Sequence, residues 1–201
     1  MTIALLNFPS DLLGEVFKLC NPFELYLMSK CSKRARRSVT LGGTRHWKIS
    51  YYESKNIWVR CGEDEYLFKH TTNPHELYKT EIYPFASSGL SMFLDISDSG
   101  DPNLFTYLLD TFKITIVDFL DNDEQNMVFF RQLARIVIDR NMEIERVILN
   151  DTMNTKDVMD FMPLIHEMNI TRKFSCFQAF PPNFQHQLTQ YPNKIYISQS
   201  F

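Results

Sequence analysis

The stretch FPSDLLGEVFKLCNPFELYLMSKCSKRARRSV, residues 8–39, decides the fold of the N-terminal part of the chain. Pro9 and the small polar residues after it predict the start of a first helix, whose apolar residues recur on one face. Asn21, Pro22 and Glu24 predict a second helix that begins with a capping box. A third, short helix is predicted after Ser32, which can cap it.

The second predicted helix is apolar around most of its circumference, and a basic cluster follows it directly. Three short helices of about 35 residues fall below the roughly 40 residues at which a chain usually buries a sufficient core alone. Their apolar side chains also exceed what so small a core covers. The surplus must therefore meet either the remainder of the chain or another protein.

The whole pattern of residues 8–39 resembles an F-box, and its ending in CSKRARRSV is similar to the F-boxes of nematode proteins. F-boxes form three helices that dock on the Skp-type adaptor of cullin-RING ubiquitin ligases. The resemblance implies that the adaptor contacts lie among nine residues: Pro9, Leu12, Leu13, Val16, Phe17, Pro22, Phe23, Leu25 and Leu27.

Two other interpretations of this N-terminal segment stay open. In the first, the helices only form a hairpin that caps the following domain. In the second, the basic residues of the third helix (Lys33, Arg34, Arg36 and Arg37) bind nucleic acid, steer a charged partner or simply form a solvated face.

The pattern changes after Leu41-Gly42-Gly43, where paired glycines indicate a hinge. We therefore predict two domains, 1–43 and 44–201. Strands are expected at 46–52, 56–61 and 66–70, followed from residue 90 by an alternation of strands and helices. Near its end this alternation includes a strand at 174–180 and a helix at 183–191. The fold class is α+β, with three helices followed by a leucine-rich-repeat-like α/β domain, and an open α/β sheet is the alternative. Pro163 should kink or split the helix that contains it.

Residues from about 147 to 201 resemble the second type of F-box-associated domain, which accompanies nematode F-boxes. The resemblance implies that this domain recognises the substrate and that it normally continues beyond the position of Phe201. A C-terminally short, and so truncated, family member is therefore expected.

Motifs for other chemistry are absent from the sequence or incomplete. No apolar run approaches the roughly 20 residues that span a bilayer, and the N-terminus does not have the pattern of a secretory signal. The four cysteines show no C-x-x-C spacing, so we expect reduced, mostly buried thiols in an intracellular protein, cytoplasmic or nuclear. His70 and His75 are separated by an Asn-Pro turn, which argues against a metal site.

Asp95 begins a stretch, DISDSGD, that imitates an EF-hand loop but has Thr106 at its twelfth position, where calcium requires a glutamate. Asp118, Asp121 and Asp123 have no nucleophile or base at an informative spacing, so a solvated loop is predicted for them. A small α/β hydrolase would need such a cluster. No cofactor is expected.

These patterns predict a non-catalytic substrate adaptor of a Skp–cullin–F-box ubiquitin ligase. The N-terminal helices would bind the Skp-type adaptor and, through it, the cullin, while the C-terminal domain would hold an unknown target protein near the transferase. The alternatives are a nucleic-acid-binding protein that uses the basic third helix and a shortened F-box protein without a target.

Overall fold

A computed structural model describes residues 5–42, 46–52, 56–82, 89–95, 100–122, 127–150, 155–177 and 194–197. The α-helices are α1 (Ser10–Leu19), α2 (Pro22–Cys31), α3 (Lys33–Val39), α4 (Gly100–Phe112), α5 (Met127–Asp139) and α6 (Thr155–Glu167). The β-strands are β1 (Lys48–Tyr52), β2 (Asn56–Cys61), β3 (Asp64–His70), β4 (Thr80–Ile82), β5 (Gly89–Leu94), β6 (Ile116–Asp121), β7 (Glu143–Leu149), β8 (Asn169–Cys176) and β9 (Lys194–Ile197). The predicted α+β class and the three N-terminal helices are confirmed.

The chain forms two compact units. The first consists of Met1–Lys48 and Trp58–Ile114, and the second of Ile49–Ile57 and Thr115–Phe201. The N-terminal helices thus share a unit with β3, β4, β5 and α4. The boundary that we predict at residue 43 separates sequence modules and stays a prediction.

The strands of the first unit have the order β4-β5-β3-β2. β3 and β5 are parallel, whereas β4 and β5 are antiparallel. Gly62 has a φ of 62° in the two-residue turn between β2 and β3, a backbone angle that glycine adopts without steric cost. The sequence did not predict β4, because all three of its residues are exposed and leave no apolar alternation to detect.

The strands of the second unit have the order β1-β6-β7-β8-β9, and β6 to β9 are all parallel. Two of the connections between them contain α5 and α6. A solenoid of strand–helix repeats and an open α/β sheet share this succession of parallel neighbours. The leucine-rich-repeat-like architecture therefore remains a prediction.

Helix α6 runs as a single element from Thr155 to Glu167 with Pro163 inside it, so the proline does not split the helix, and the kink stays a prediction. An interior proline removes a backbone donor and costs about 3 kcal/mol or more. Five side chains of α6 are buried, which offsets that cost: Val158, Phe161, Met162, Leu164 and Ile165. Tertiary packing thus keeps the helix continuous across the proline.

The predicted helix at 183–191 lies outside the described residues. The strand predicted at 174–180 begins earlier, at Asn169, because its polar first half pairs with β7.

Candidate partner-binding surface of the N-terminal helices

Helix α1 begins directly after Pro9, which occupies the N-cap position with a φ of −53°. The predicted polar capping is wrong, because no side chain accepts a capping hydrogen bond here. Instead, the Leu13 backbone N–H donates to the Pro9 carbonyl over 3.0 Å and closes the first helical turn. The fixed φ of proline suits a helix entrance without further help.

The apolar residues of α1 occupy two faces. Leu13, Gly14 and Phe17 are buried. On the other side Leu12 is 55% exposed, Leu19 is 84% exposed and Val16 is half-buried. Spacings of four and seven residues place these three on one face of the helix. We call Leu12, Val16 and Leu19 the α1 stripe. Leu19 was not among the predicted contacts, although its spacing from Leu12 was a readable signal.

Helix α2 has the capping box that the sequence predicts. The Glu24 backbone N–H donates to the Asn21 side chain over 3.0 Å, and the Asn21 backbone N–H donates to the Glu24 carboxylate over 2.8 Å. Pro22 is the first helical residue. This reciprocal pair satisfies two backbone donors that a helix N-terminus otherwise leaves unpaired, and so fixes where α2 begins.

One side of α2 is buried within the first unit against aromatic side chains of β3 and α4. The Phe23 ring makes edge-to-face contacts with Tyr66 and Phe68, at centroid distances of 5.5 and 5.0 Å. The Tyr26 ring contacts Phe68 at 5.6 Å and Tyr107 at 5.7 Å. On this side of α2, therefore, the apolar side chains meet the remainder of the chain rather than another protein.

A hydrogen bond between two hydroxyl groups adds to this packing. The Ser29 and Tyr107 hydroxyls lie 2.7 Å apart, and Ser29 also donates to the Tyr26 carbonyl over 2.6 Å. Because Ser29 is buried, these hydrogen bonds satisfy a polar group that would otherwise lose its water contacts.

The nine predicted contact residues therefore occupy different environments. Pro9, Leu12 and Leu27 are exposed, and Val16 is half-buried. The other five are buried in this conformation: Leu13, Phe17, Pro22, Phe23 and Leu25. The exposed large apolar side chains of this segment thus include Leu12 and Leu19 of the α1 stripe, Leu27, Phe8 and Leu41, together with exposed Pro9 and half-buried Val16.

Burial at α2 raises the pKa of Tyr26 from 10.0 to about 12, mainly by desolvation and further through Tyr78 and Tyr107. A raised folded-state pKa stabilises the fold fully below about pH 10, and this stabilisation is lost as the pH rises to about 12. We expect Tyr26 to contribute about 2–3 kcal/mol to the fall in unfolding free energy across that range. Urea titrations of the wild-type chain and of Tyr26→Phe at several pH values measure it, and equal pH slopes would contradict the expectation.

Helix α3 begins as predicted, with the Ser32 side chain accepting a hydrogen bond from the Ala35 backbone N–H over 3.0 Å. Two basic side chains, one from α2 and one from α3, lie on Tyr107: the Lys30 ammonium is 3.8 Å and the Arg36 guanidinium 4.2 Å from the ring centroid. Arg34 donates to the Leu6 carbonyl over 2.6 Å. Part of the basic cluster therefore serves the packing of the first unit.

A small apolar pocket of about 180 Å³, partly open to solvent, lies among these helices. Its lining comes from the turn before α1 and from all three helices: Leu6, Phe17, Met28, Cys31, Ala35 and Val39.

The four cysteines, all within the described residues, form no disulfide. The expectation of mostly buried thiols is wrong, since only Cys176 is fully buried.

The remaining candidates of the sequence give no clustered site. The solvated loop predicted for Asp118 and Asp121 is wrong, because both residues lie in β6. Asp118 is buried and accepts a hydrogen bond from Arg146 over 3.1 Å, and Asp121 accepts one from Asn150 over 3.3 Å. Asp123 and most of the DISDSGD stretch lie outside the described residues. Over the described ranges, no three His, Cys, Asp or Glu side chains group so as to hold a metal ion. Nor does any described helix have the length and apolar character to cross a membrane.

The segment thus consists of three short helices, of which α2 and α3 have side-chain caps, and α1 keeps an apolar stripe at its surface. The family model of the F-box domain matches residues 5–42, which are these helices, and the chain therefore contains an F-box domain. Comparisons with curated proteins and with solved structures gave no match. The F-box domain points to a Skp–cullin–F-box adaptor role, and F-box proteins are generally non-catalytic.

Proposed function

We propose that this chain is a substrate-recognition subunit of a Skp–cullin–F-box ubiquitin ligase and that the α1 stripe contacts the Skp-type adaptor. The observation that carries the proposal is the exposure of Leu12 and Leu19 on a helix whose other face is buried. Exposed leucines on one helix face suit a partner that lays its own apolar surface across the helix.

The proposal keeps four of the nine predicted adaptor contacts and adds one residue. Leu12, Val16, Leu27 and Pro9 stay available as contacts in the described conformation, and Leu19 joins them. The five buried residues act through the fold by holding α1 and α2 in place. A substitution among them would therefore change stability first and adaptor binding second.

We expect Leu12→Ala to weaken binding of a recombinant Skp-type adaptor by about 1–3 kcal/mol, roughly ten- to 150-fold, because it truncates an interfacial anchor. Isothermal titration calorimetry with the purified full chain measures this effect. Val128, 75% exposed on α5, is the matched control, and Val128→Ala should bind like the wild type. Unchanged affinity for both Leu12→Ala and Leu19→Ala, with their stability intact, would contradict the proposed contact.

The second unit is proposed to hold the target protein, in line with its resemblance to an F-box-associated domain. The mechanism is then geometric, since two binding sites on one chain raise the local concentration of target near the transferase. A cytoplasmic or nuclear location goes with this role. This geometric mechanism requires no chemical reaction of the chain's own residues.

Affinity capture from cell extract, with partners identified by mass spectrometry, tests both halves of the role. The wild-type chain should recover adaptor and cullin together. The Leu12→Ala chain should lose both while it retains any protein bound through the second unit. If the wild type recovers adaptor and cullin but no protein is retained by Leu12→Ala, the chain binds the adaptor without a target. If it recovers neither, the proposed role fails.

A further inference from the structure

Strand β4 lies at one end of the order β4-β5-β3-β2, so among the described residues no strand pairs with its outer side. Its three residues are exposed, and so are the two residues before it. We call this stretch, residues 78–82 with the sequence YKTEI, the β4 edge. Ile82 is 81% exposed and Tyr78 is 56% exposed, so a large apolar side chain meets solvent at each end of the β4 edge.

The hydrogen bonds to β5 show which backbone groups of the β4 edge point outwards. The Phe93 N–H donates to the Lys79 carbonyl over 3.2 Å, so the Lys79 carbonyl faces β5. Successive residues of a strand direct their backbone groups to opposite sides. The backbone groups of Glu81 therefore also face β5, whereas those of Thr80 and Ile82 face away from it. An outward row of this kind is a template for a further strand.

Tyr78 ends the regular pairing of β4 with β5. Its N–H donates to the Phe93 carbonyl over 2.8 Å, so Tyr78 and Lys79 together oppose Phe93, as in a β-bulge. Tyr78 also has a φ of 61°, a backbone angle that bulky residues rarely adopt. Backbone strain of this kind concentrates at functional positions, so the β4 edge is a candidate interaction surface.

The charges of the β4 edge restrict which strand can pair with it. Lys79 and Glu81 lie two residues apart and therefore on the same face of the strand. Neither makes an ion pair within the described ranges. Charged side chains on an edge hinder pairing with most strands. A strand that neutralises both must carry an anion opposite Lys79 and a cation opposite Glu81.

We propose that the β4 edge pairs with the β4 edge of a second copy of this chain, antiparallel and with Thr80 on the two-fold axis. The five-residue sequence is complementary to itself in this register. Lys79 of each copy lies opposite Glu81 of the other, which gives two cross-strand ion pairs. The outward N–H and C=O groups of the two Thr80 residues exchange hydrogen bonds. Exposed Ile82 comes next to exposed Tyr78 of the second copy, so apolar surface leaves water twice.

Other registers of two β4 edges are less favourable. An antiparallel pair that matches Thr80 with Ile82 places Glu81 directly opposite Glu81 of the second copy. A parallel pair in register places Lys79 beside Lys79 and Glu81 beside Glu81. Like charges directly opposite each other destabilise a strand pair. The charges therefore select the register centred on Thr80.

Sedimentation velocity of the full chain over a concentration series tests the pairing. The contact is small, so the wild-type chain should pass reversibly from monomer to dimer as its concentration rises towards about millimolar. Lys79→Glu and Glu81→Lys should each weaken dimerisation about ten-fold or more, because each replaces two attractive pairs by two repulsive ones. Asp139→Lys, a charge reversal at an exposed position of α5, should leave dimerisation unchanged.

Two further samples test the register itself. The double variant Lys79→Glu/Glu81→Lys should dimerise like the wild type, and a mixture of the two single variants should form a heterodimer, because opposite charges again face each other. A wild-type chain that stays monomeric throughout the series would overturn the proposal. Single variants that dimerise like the wild type, or a mixture without heterodimer, would overturn it too.

Thr80→Pro tests the backbone pairing separately from the charges. It removes an outward N–H that β5 does not use, and proline is tolerated at such edge positions. The variant should lose dimerisation, and its Tm reports whether the first unit stays folded. A folded Thr80→Pro chain that dimerises like the wild type would contradict the strand pairing. The outcome is independent of the adaptor role, since the β4 edge contains no residue of the α1 stripe.

Discussion

Replacing Phe23 by alanine should lower the free energy of unfolding of the first unit by about 3–5 kcal/mol. The side chain is only 3% exposed, and its ring makes edge-to-face contacts with both Tyr66 and Phe68. Each such aromatic pair adds about 0.5–1.5 kcal/mol beyond the burial of its area. The cost combines that loss with the cavity that truncation leaves.

Intrinsic tryptophan fluorescence in a urea titration measures the effect, because both tryptophans, Trp47 and Trp58, belong to the first unit. Leu27→Ala is the control on the same helix, and with Leu27 39% exposed it should cost less than about 1 kcal/mol. A Phe23→Ala chain of unchanged stability that no longer bound the adaptor would reverse the assignment. Phe23 would then be a direct contact, as the family resemblance implies.

Local signals made the N-terminal helices predictable. The capping box of Asn21 and Glu24 and the cap at Ser32 depend on residues three positions apart, so one sequence contains all the information that they need. The apolar spacing of α1 likewise predicted a buried face. It could not separate the face that the chain covers from the stripe that it leaves open, since both contain leucine together with another large apolar residue.

Long-range pairing explains what the sequence left open. Phe23 and Tyr26 meet a strand more than forty residues away, and the spacing within α2 shows only that these side chains need cover. The polar first half of β8 is a strand because β7 lies beside it. The contact of Arg36 with Tyr107 depends in the same way on α4, a distant part of the sequence. The count of charges alone left a nucleic-acid site, the steering of a charged partner and a solvated face open.

Replacing Phe161 by alanine should destabilise the second unit by a similar amount, about 3–5 kcal/mol. Its ring is fully buried and stacks on Phe130 of α5, with centroids 4.8 Å apart and an interplanar angle of 28°. Phe161 is also among the buried side chains that offset the cost of Pro163 within α6. The substitution therefore removes part of what keeps that helix continuous.

Hydrogen exchange with mass spectrometry is the suitable measurement, because the second unit contains no tryptophan. Peptides from α6 and β7 of the Phe161→Ala chain should lose protection, most strongly around Pro163, where one backbone hydrogen bond is already missing. Val128→Ala on α5, at an exposed position, should leave protection unchanged. Full protection of α6 in the Phe161→Ala chain would mean that backbone geometry, rather than the burial of this ring, keeps the helix continuous at Pro163.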